Sequence, residues 1–238
     1  MSTASNPYRD FGMAVDAPVD ARASFITKTY MHLLVALAGL AALDTIFLSM
    51  PGVDDLVFRL LSLRYAWLLV MVAFMGVSWI ANSWAMSGSS QGMQYAGLAL
   101  YVVAQAVIMV PLLVVARSVD PNSIPIAAVV TGVLFAGLTA VVFATRKDFS
   151  FLRGVLMFGG FAMIALIVLS ILFGFNLNVF FVGAGVALAC GFILYDTSNV
   201  LLHYRVDQHV AASLALFASV ALLFWYILQF VLSFTSRD

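Results

Sequence analysis

The chain has 238 residues, 64% of them hydrophobic and only 9% charged, and its formal net charge is zero. Soluble domains carry about 25% charged residues, so a water-soluble core is excluded. With no net positive charge the chain offers no basic face for nucleic acid.

Residues 1–22 are polar, hold Pro7 and Pro18, and lack the apolar centre of a cleavable signal peptide. They read as a flexible cytoplasmic tail, followed by a transmembrane domain over 23–238 whose first span is its own insertion signal. Runs free of Asp, Glu, Lys and Arg then cover 65–116, 121–145, 154–195 and 208–236. A helix needs about 20 apolar residues to cross the bilayer core, so the first and third runs hold two spans each. The spacing predicts seven spans, near 25–49, 65–87, 93–116, 122–145, 151–173, 178–203 and 209–234. Between them lie breaks that hydrocarbon would reject. They are Pro51-Gly52 with Asp54 and Asp55, Ser87 to Gly92, Asp120-Pro121-Asn122, Arg146-Lys147-Asp148, Phe173 to Asn176, and Arg205-Val206-Asp207. No loop is long enough to fold alone, so function is expected in the bundle, the short loops or the tail. The fold class is all-α, an integral membrane protein of seven helices.

Positive residues set the orientation. Arg9, Arg22 and Lys28, then Arg146, Lys147 and Arg153, then Arg205 all fall on one side if the N-terminus is cytoplasmic. Arg59, Arg64 and Arg117 oppose this. The balance predicts N-terminus in and C-terminus out.

Asp196 ends a stretch of 42 residues, Gly154 to Tyr195, without a charge. A carboxylate near the bilayer centre costs about 2.5–3.5 kcal/mol on insertion scales, so water, a partner or a proton must offset it. Asn199 and His203 follow at helical spacing, and Gly185 and Ala189 precede on the same face. Gly183, Ala187 and Gly191 form a second small series roughly opposite, so the sixth span reads as central, with neighbours on both sides. Two roles stand for Asp196: a packing acid paired with Lys or Arg, or a proton- or cation-sensing group. Arg205, Arg64 and Lys28 are the candidate partners. His203 reads as an interfacial histidine. Thr197 and Ser198 read as hydroxyls bonded to the preceding turn. Gln105, Asn82 and Asp44 are weaker intramembrane polar signals, and Pro111 marks an expected kink.

Several classes fail on these residues. An intramembrane aspartyl protease needs two carboxylates sharing a proton, and the last span has none. A retinal protein needs a lysine there, and the chain's lysines are Lys28 and Lys147. Its histidines and lone Cys190 show no metal-ligand spacing, and Cys190 reads as a small buried hydrophobe. Neither an enzyme nor a cofactor is expected.

GFILYDTSNVLLHY over 191–204 resembles the signature of the Bax inhibitor-1 family, also called the transmembrane Bax inhibitor motif family. TRKDFSFLRGVLM over 145–157, FITKTY over 25–30 and ASLALFASVALLF over 212–224 resemble its other conserved stretches in the same order. The closing FTSRD resembles the bacterial YccA-like branch. The resemblance implies a seven-helix fold with a central sixth helix. Some members are proton-sensitive calcium leaks in which an acid on the sixth helix faces another on the seventh. Asp196 matches the first of these, and Ser219 stands where the second would be. The YccA-like branch also lacks the second acid and is associated with the protease FtsH. The resemblance therefore implies a bacterial inner-membrane regulator that modulates FtsH, with residues 1–22 as a cytoplasmic handle. The alternative is a pH-sensitive calcium leak in which Asp196, Asn199, Ser219 and His203 line one path, calcium being the transported ion.

Overall fold

The computed structural model describes residues 13–63, 65–86 and 90–235. Residues 1–12 of the tail, Arg64, part of the Ser87 to Gly92 break and the last residues of FTSRD lie outside the described residues. The described elements are a 3-10 turn at Ala14–Asp16 and eight α-helices. They are α1 (Val19–Ser49), α2 (Val53–Ser62), α3 (Ala66–Ala85), α4 (Gln91–Val119), α5 (Ser123–Thr145), α6 (Leu152–Phe173), α7 (Val179–Leu202) and α8 (His209–Thr235).

All but α2 are long and apolar enough to cross a membrane, seven in all among the described residues. They match the seven predicted spans closely. Their outward faces carry large bare side chains, such as Phe158 at 78% and Phe180 at 80% exposure. Such a surface is unfavourable in water and suits lipid. α4 runs through Pro111 without ending. Ser90 caps α4 by accepting the Met93 amide, and Asn178 caps α7 by accepting the Phe180 amide.

The Pro51-Gly52 break is not a plain loop. Gly52 takes a left-handed conformation, φ 81°, and α2 starts directly after it. Asp54 and Asp55 occupy the first turn of α2 and Arg59 the last, which suits the helix dipole at both ends. Val57 is buried, whereas Leu56 and Phe58 stay bare. Arg117 at the end of α4 clamps this corner, donating to the Leu48 carbonyl at 2.9 Å and to Asp54 Oδ1 at 2.5 Å.

Part of the expected tail, from Met13 onward, touches the bundle end. The Ala14 amide donates to the Tyr204 carbonyl at 2.8 Å, Met13 pairs with Arg205, and Ala14 is fully buried. Ala14 finds a covered seat against the α7–α8 loop, while Met13 and Val15 stay exposed; α1 begins at Val19, ahead of the span predicted from 25.

α7 has neighbours on both faces. A Cβ at Gly185 would meet the Tyr226 ring of α8 at 2.4 Å, and one at Gly191 would meet Leu156 of α6 at 2.7 Å. The most enclosed span, however, is the last: α8 packs on α7, α5, α1, α4 and α3, and carries the longest series of buried residues. α7 packs on α8, α5 and α6. The core of the bundle therefore lies along α8, with α4 next. α3 and α4 approach most closely at Gly97, where a Cβ would sit 2.5 Å from the Ala81 carbonyl oxygen.

Candidate functional site

Asp196 lies on the buried face of α7, six residues before the helix ends, about 9 Å along the axis at the helical rise. It is 9% exposed. Ser219, ten residues into α8, donates its hydroxyl to Asp196 Oδ2. Ser219 thus faces Asp196 across the α7–α8 contact. Asp196 has no basic partner within salt-bridge distance among the described residues. Arg205 Nε is committed to Asp207 at 3.2 Å. Lys28 lines a small pocket with Asp207 and His209. Arg64 lies outside the described residues. The reading of Asp196 as one half of a buried ion pair has no support in this geometry.

Asn199 and His203 do not join it. They share its face of the helix but lie nearer its end, Asn199 by about 4.5 Å and His203 by about 10 Å along the axis. Asn199 Oδ1 lies 3.2 Å from His203 Nδ1, and His203 Nε2 lies 3.3 Å from Asp148 Oδ2. This chain sits at the bundle end and is solvent-exposed, with 37% of the His203 side chain and 46% of the Asp148 side chain accessible. Asp148 is held below the usual carboxylate range, first by the Ser150 amide, with His203 a lesser cause. Tyr204, in the adjoining loop, is pushed above its usual range by burial and then by the charge of Asp196. Ser198 departs from its expected role. Its hydroxyl oxygen accepts the Phe149 amide at 3.1 Å, tying the α5–α6 loop to α7.

Asp196 and Ser219 open instead onto a cavity of about 650 Å³ lined by α3, α4, α6, α7 and α8. Asn82 and Gln105, two weak polar signals in the sequence, line it with Ser78 and Tyr195. The rest of the wall is apolar and aromatic, and Trp67 stacks on Trp225 with centroids 6.0 Å apart. Sequence spacing within one helix has no signal for this set, because the wall is drawn from five. Asp44, the other acid buried in a span, is separate: it is on α1, and its Oδ1 has no hydrogen-bond partner. Among the described residues no three His, Cys, Asp or Glu side chains converge to hold a metal ion.

The family model described as "Inhibitor of apoptosis-promoting Bax1" matches residues 22–236. The chain belongs to the Bax inhibitor-1 family. It is 33% identical over 110 residues to Bax inhibitor 1 of Schizosaccharomyces pombe, covering 44% of this chain and 40% of that protein. It is 32% identical over 117 residues to the Escherichia coli protein named Modulator of FtsH protease YccA, covering 45% and 49%. It is 29% identical over 107 residues to Protein lifeguard 4 of Mus musculus, covering 44% of each. These alignments span less than half of each curated relative. Bacterial and eukaryotic members of the Bax inhibitor-1 family thus match this chain at similar identity.

Proposed function

We propose that this chain is a non-enzymatic, multi-pass regulator of a bacterial inner membrane, with its N-terminus cytoplasmic, that modulates the protease FtsH. The observation that carries the reading is the hydroxyl of Ser219 against Asp196. Two acids in that position would share a proton and repel when both ionise. A serine donates to a single carboxylate and steadies it, which favours a fixed helix pair over a titrating one. Similarity to the Escherichia coli protein supports the same reading. Regulation would run through lipid-facing helix contacts and through the segment ahead of residue 13. The test is co-purification from membranes of the intact chain and of a form beginning at Met13. That boundary leaves intact the residues packed beneath Tyr204. Association of the intact chain, with slower degradation of a membrane substrate, is expected. If neither form associates with the protease, the reading fails.

A second reading is favoured by the cavity itself. A carboxylate opening onto a space with Ser78, Asn82 and Gln105 offers a step on a cation path, calcium being the ion the family resemblance implies. Asp196 and Ser219 would line it, and Asn199 and His203 would lie at its cytoplasmic approach. Calcium flux into reconstituted vesicles, compared between the wild type and Asp196→Asn across pH, tests this. Flux that is absent, or equal in both, removes it.

A further inference from the structure

We propose that the cavity beside Asp196 is a binding site for a lipophilic organic monocation that enters from the bilayer. The positive charge rests against the carboxylate, and the apolar body lies among the aromatic rings. Neither protease modulation nor ion flux is needed for this.

Charge comes first. Asp196 is more than nine-tenths buried and takes one hydroxyl from Ser219, and no Lys or Arg among the described residues lies within salt-bridge distance of it. A buried carboxylate without a cation is costly, and a cationic ligand supplies what none of the described residues does. An anion is repelled, and a neutral lipid tail leaves the carboxylate as it was.

The wall comes second. Trp67, Phe74, Tyr101, Phe192, Trp225 and Tyr226 present rings to the space. Aromatic faces attract cations, more strongly when both are desolvated. The volume of about 650 Å³ falls within the range of about 300–1,000 Å³ found for small-molecule sites.

The mouth decides the apolar body. α3 packs mainly on α4, and α6 on α7, so the space between α3 and α6 opens sideways. Trp79 at 75%, Met75 at 52% and Ile164 at 36% exposure flank it. These residues lie within the spans rather than at their ends, so the opening gives onto hydrocarbon. A hydrated inorganic ion does not cross lipid to reach it. A cation whose charge is shielded by an apolar body does.

Full-length protein in phosphatidylcholine nanodiscs is titrated with tetraphenylphosphonium and, separately, with tetraphenylborate, which has a closely similar body and the opposite charge. Tryptophan quenching is read against empty nanodiscs. The expected result is saturable one-site binding of the phosphonium and not of the borate. Asp196→Asn should weaken it by about tenfold or more, as loss of one close charge contact does. Ala218→Phe, which fills the cavity from α8, should abolish it while circular dichroism and elution volume stay unchanged. Should Asp196→Asn fail to fold, the borate comparison and Ala218→Phe still decide. Absence of saturable phosphonium binding, equal binding of both ions, or full affinity in folded Asp196→Asn or Ala218→Phe would overturn the proposal.

Discussion

A carboxylate can persist in a membrane by pairing with a cation, by accepting hydrogen bonds, or by facing a polar space. Asp196 uses the second: Ser219 donates to it, while the cavity in front of it is largely apolar, with Asn82 and Gln105 among its few polar groups. Side-chain hydrogen bonds between membrane helices average about 0.6 kcal/mol and reach about 1.7. Ser219→Ala should therefore lower stability within roughly that range, read as thermal unfolding in detergent. No change at all would mean that the carboxylate is satisfied without the hydroxyl. At the bundle end the chemistry differs, because Asp148 is exposed and its pair with His203 is screened. Its carboxyl is held below the ordinary range, so its contribution is complete above the unfolded-state value and lost as pH falls through the depressed folded value. The melting temperatures of wild type and Asp148→Asn should differ slightly at neutral pH and converge in acid. A difference that grows in acid would refute this sign. Asp196 was legible in the sequence because a charge in a long apolar run stands out. Its detachment from Asn199 and His203 was not, since helical spacing reports the face and not whether a neighbouring loop, here through Asp148, engages His203.

At the scale of elements, the glycines separate contact from composition. Gly97, Gly185 and Gly183 look alike in the sequence. At Gly97 a Cβ would strike the α3 backbone at 2.5 and 2.6 Å, at Gly185 it would strike the Tyr226 ring at 2.4 Å, and at Gly183 it would meet nothing within 4 Å. Backbone does not move aside, and Tyr226 is itself buried. Gly97→Ala and Gly185→Ala should each cost about 1–3 kcal/mol, the range for overpacking a filled interface. Gly183→Ala should stay within about 0.5 kcal/mol. The same detergent melts check all three, and a stable Gly97→Ala would show that α3 slides freely over α4. The small-residue series on the sixth span was legible as helix-contact surface. Which glycines touch a neighbour was not, because that depends on the partner helix's depth. α2 was hidden for a related reason. Its two leading acids read as a loop, and only the clamp from Arg117 shows them as the charged start of an interfacial helix.

For the whole molecule, seven spans put the two ends of the chain on opposite sides of the membrane. A C-terminal alkaline phosphatase fusion should be active outside the cytoplasm, and a reporter at the Arg146–Lys147 loop should stay inside. The reverse pattern would overturn the orientation drawn from the positive residues. Hydropathy determined the number of spans, their limits to within a few residues, and the membrane class. It did so because hydrocarbon acts on each segment independently: any stretch long and apolar enough enters, whatever follows it. The resemblance of ordered motifs along the chain determined the family for the same sequential reason. Only the tertiary structure decided that α8 forms the axis of the core, that the chain from Met13 onward touches the bundle end, and that Asp196 faces a cavity walled by five helices. Those are matters of which faces meet at which depth, and they depend on packing between segments far apart in the chain, which no local window of sequence records.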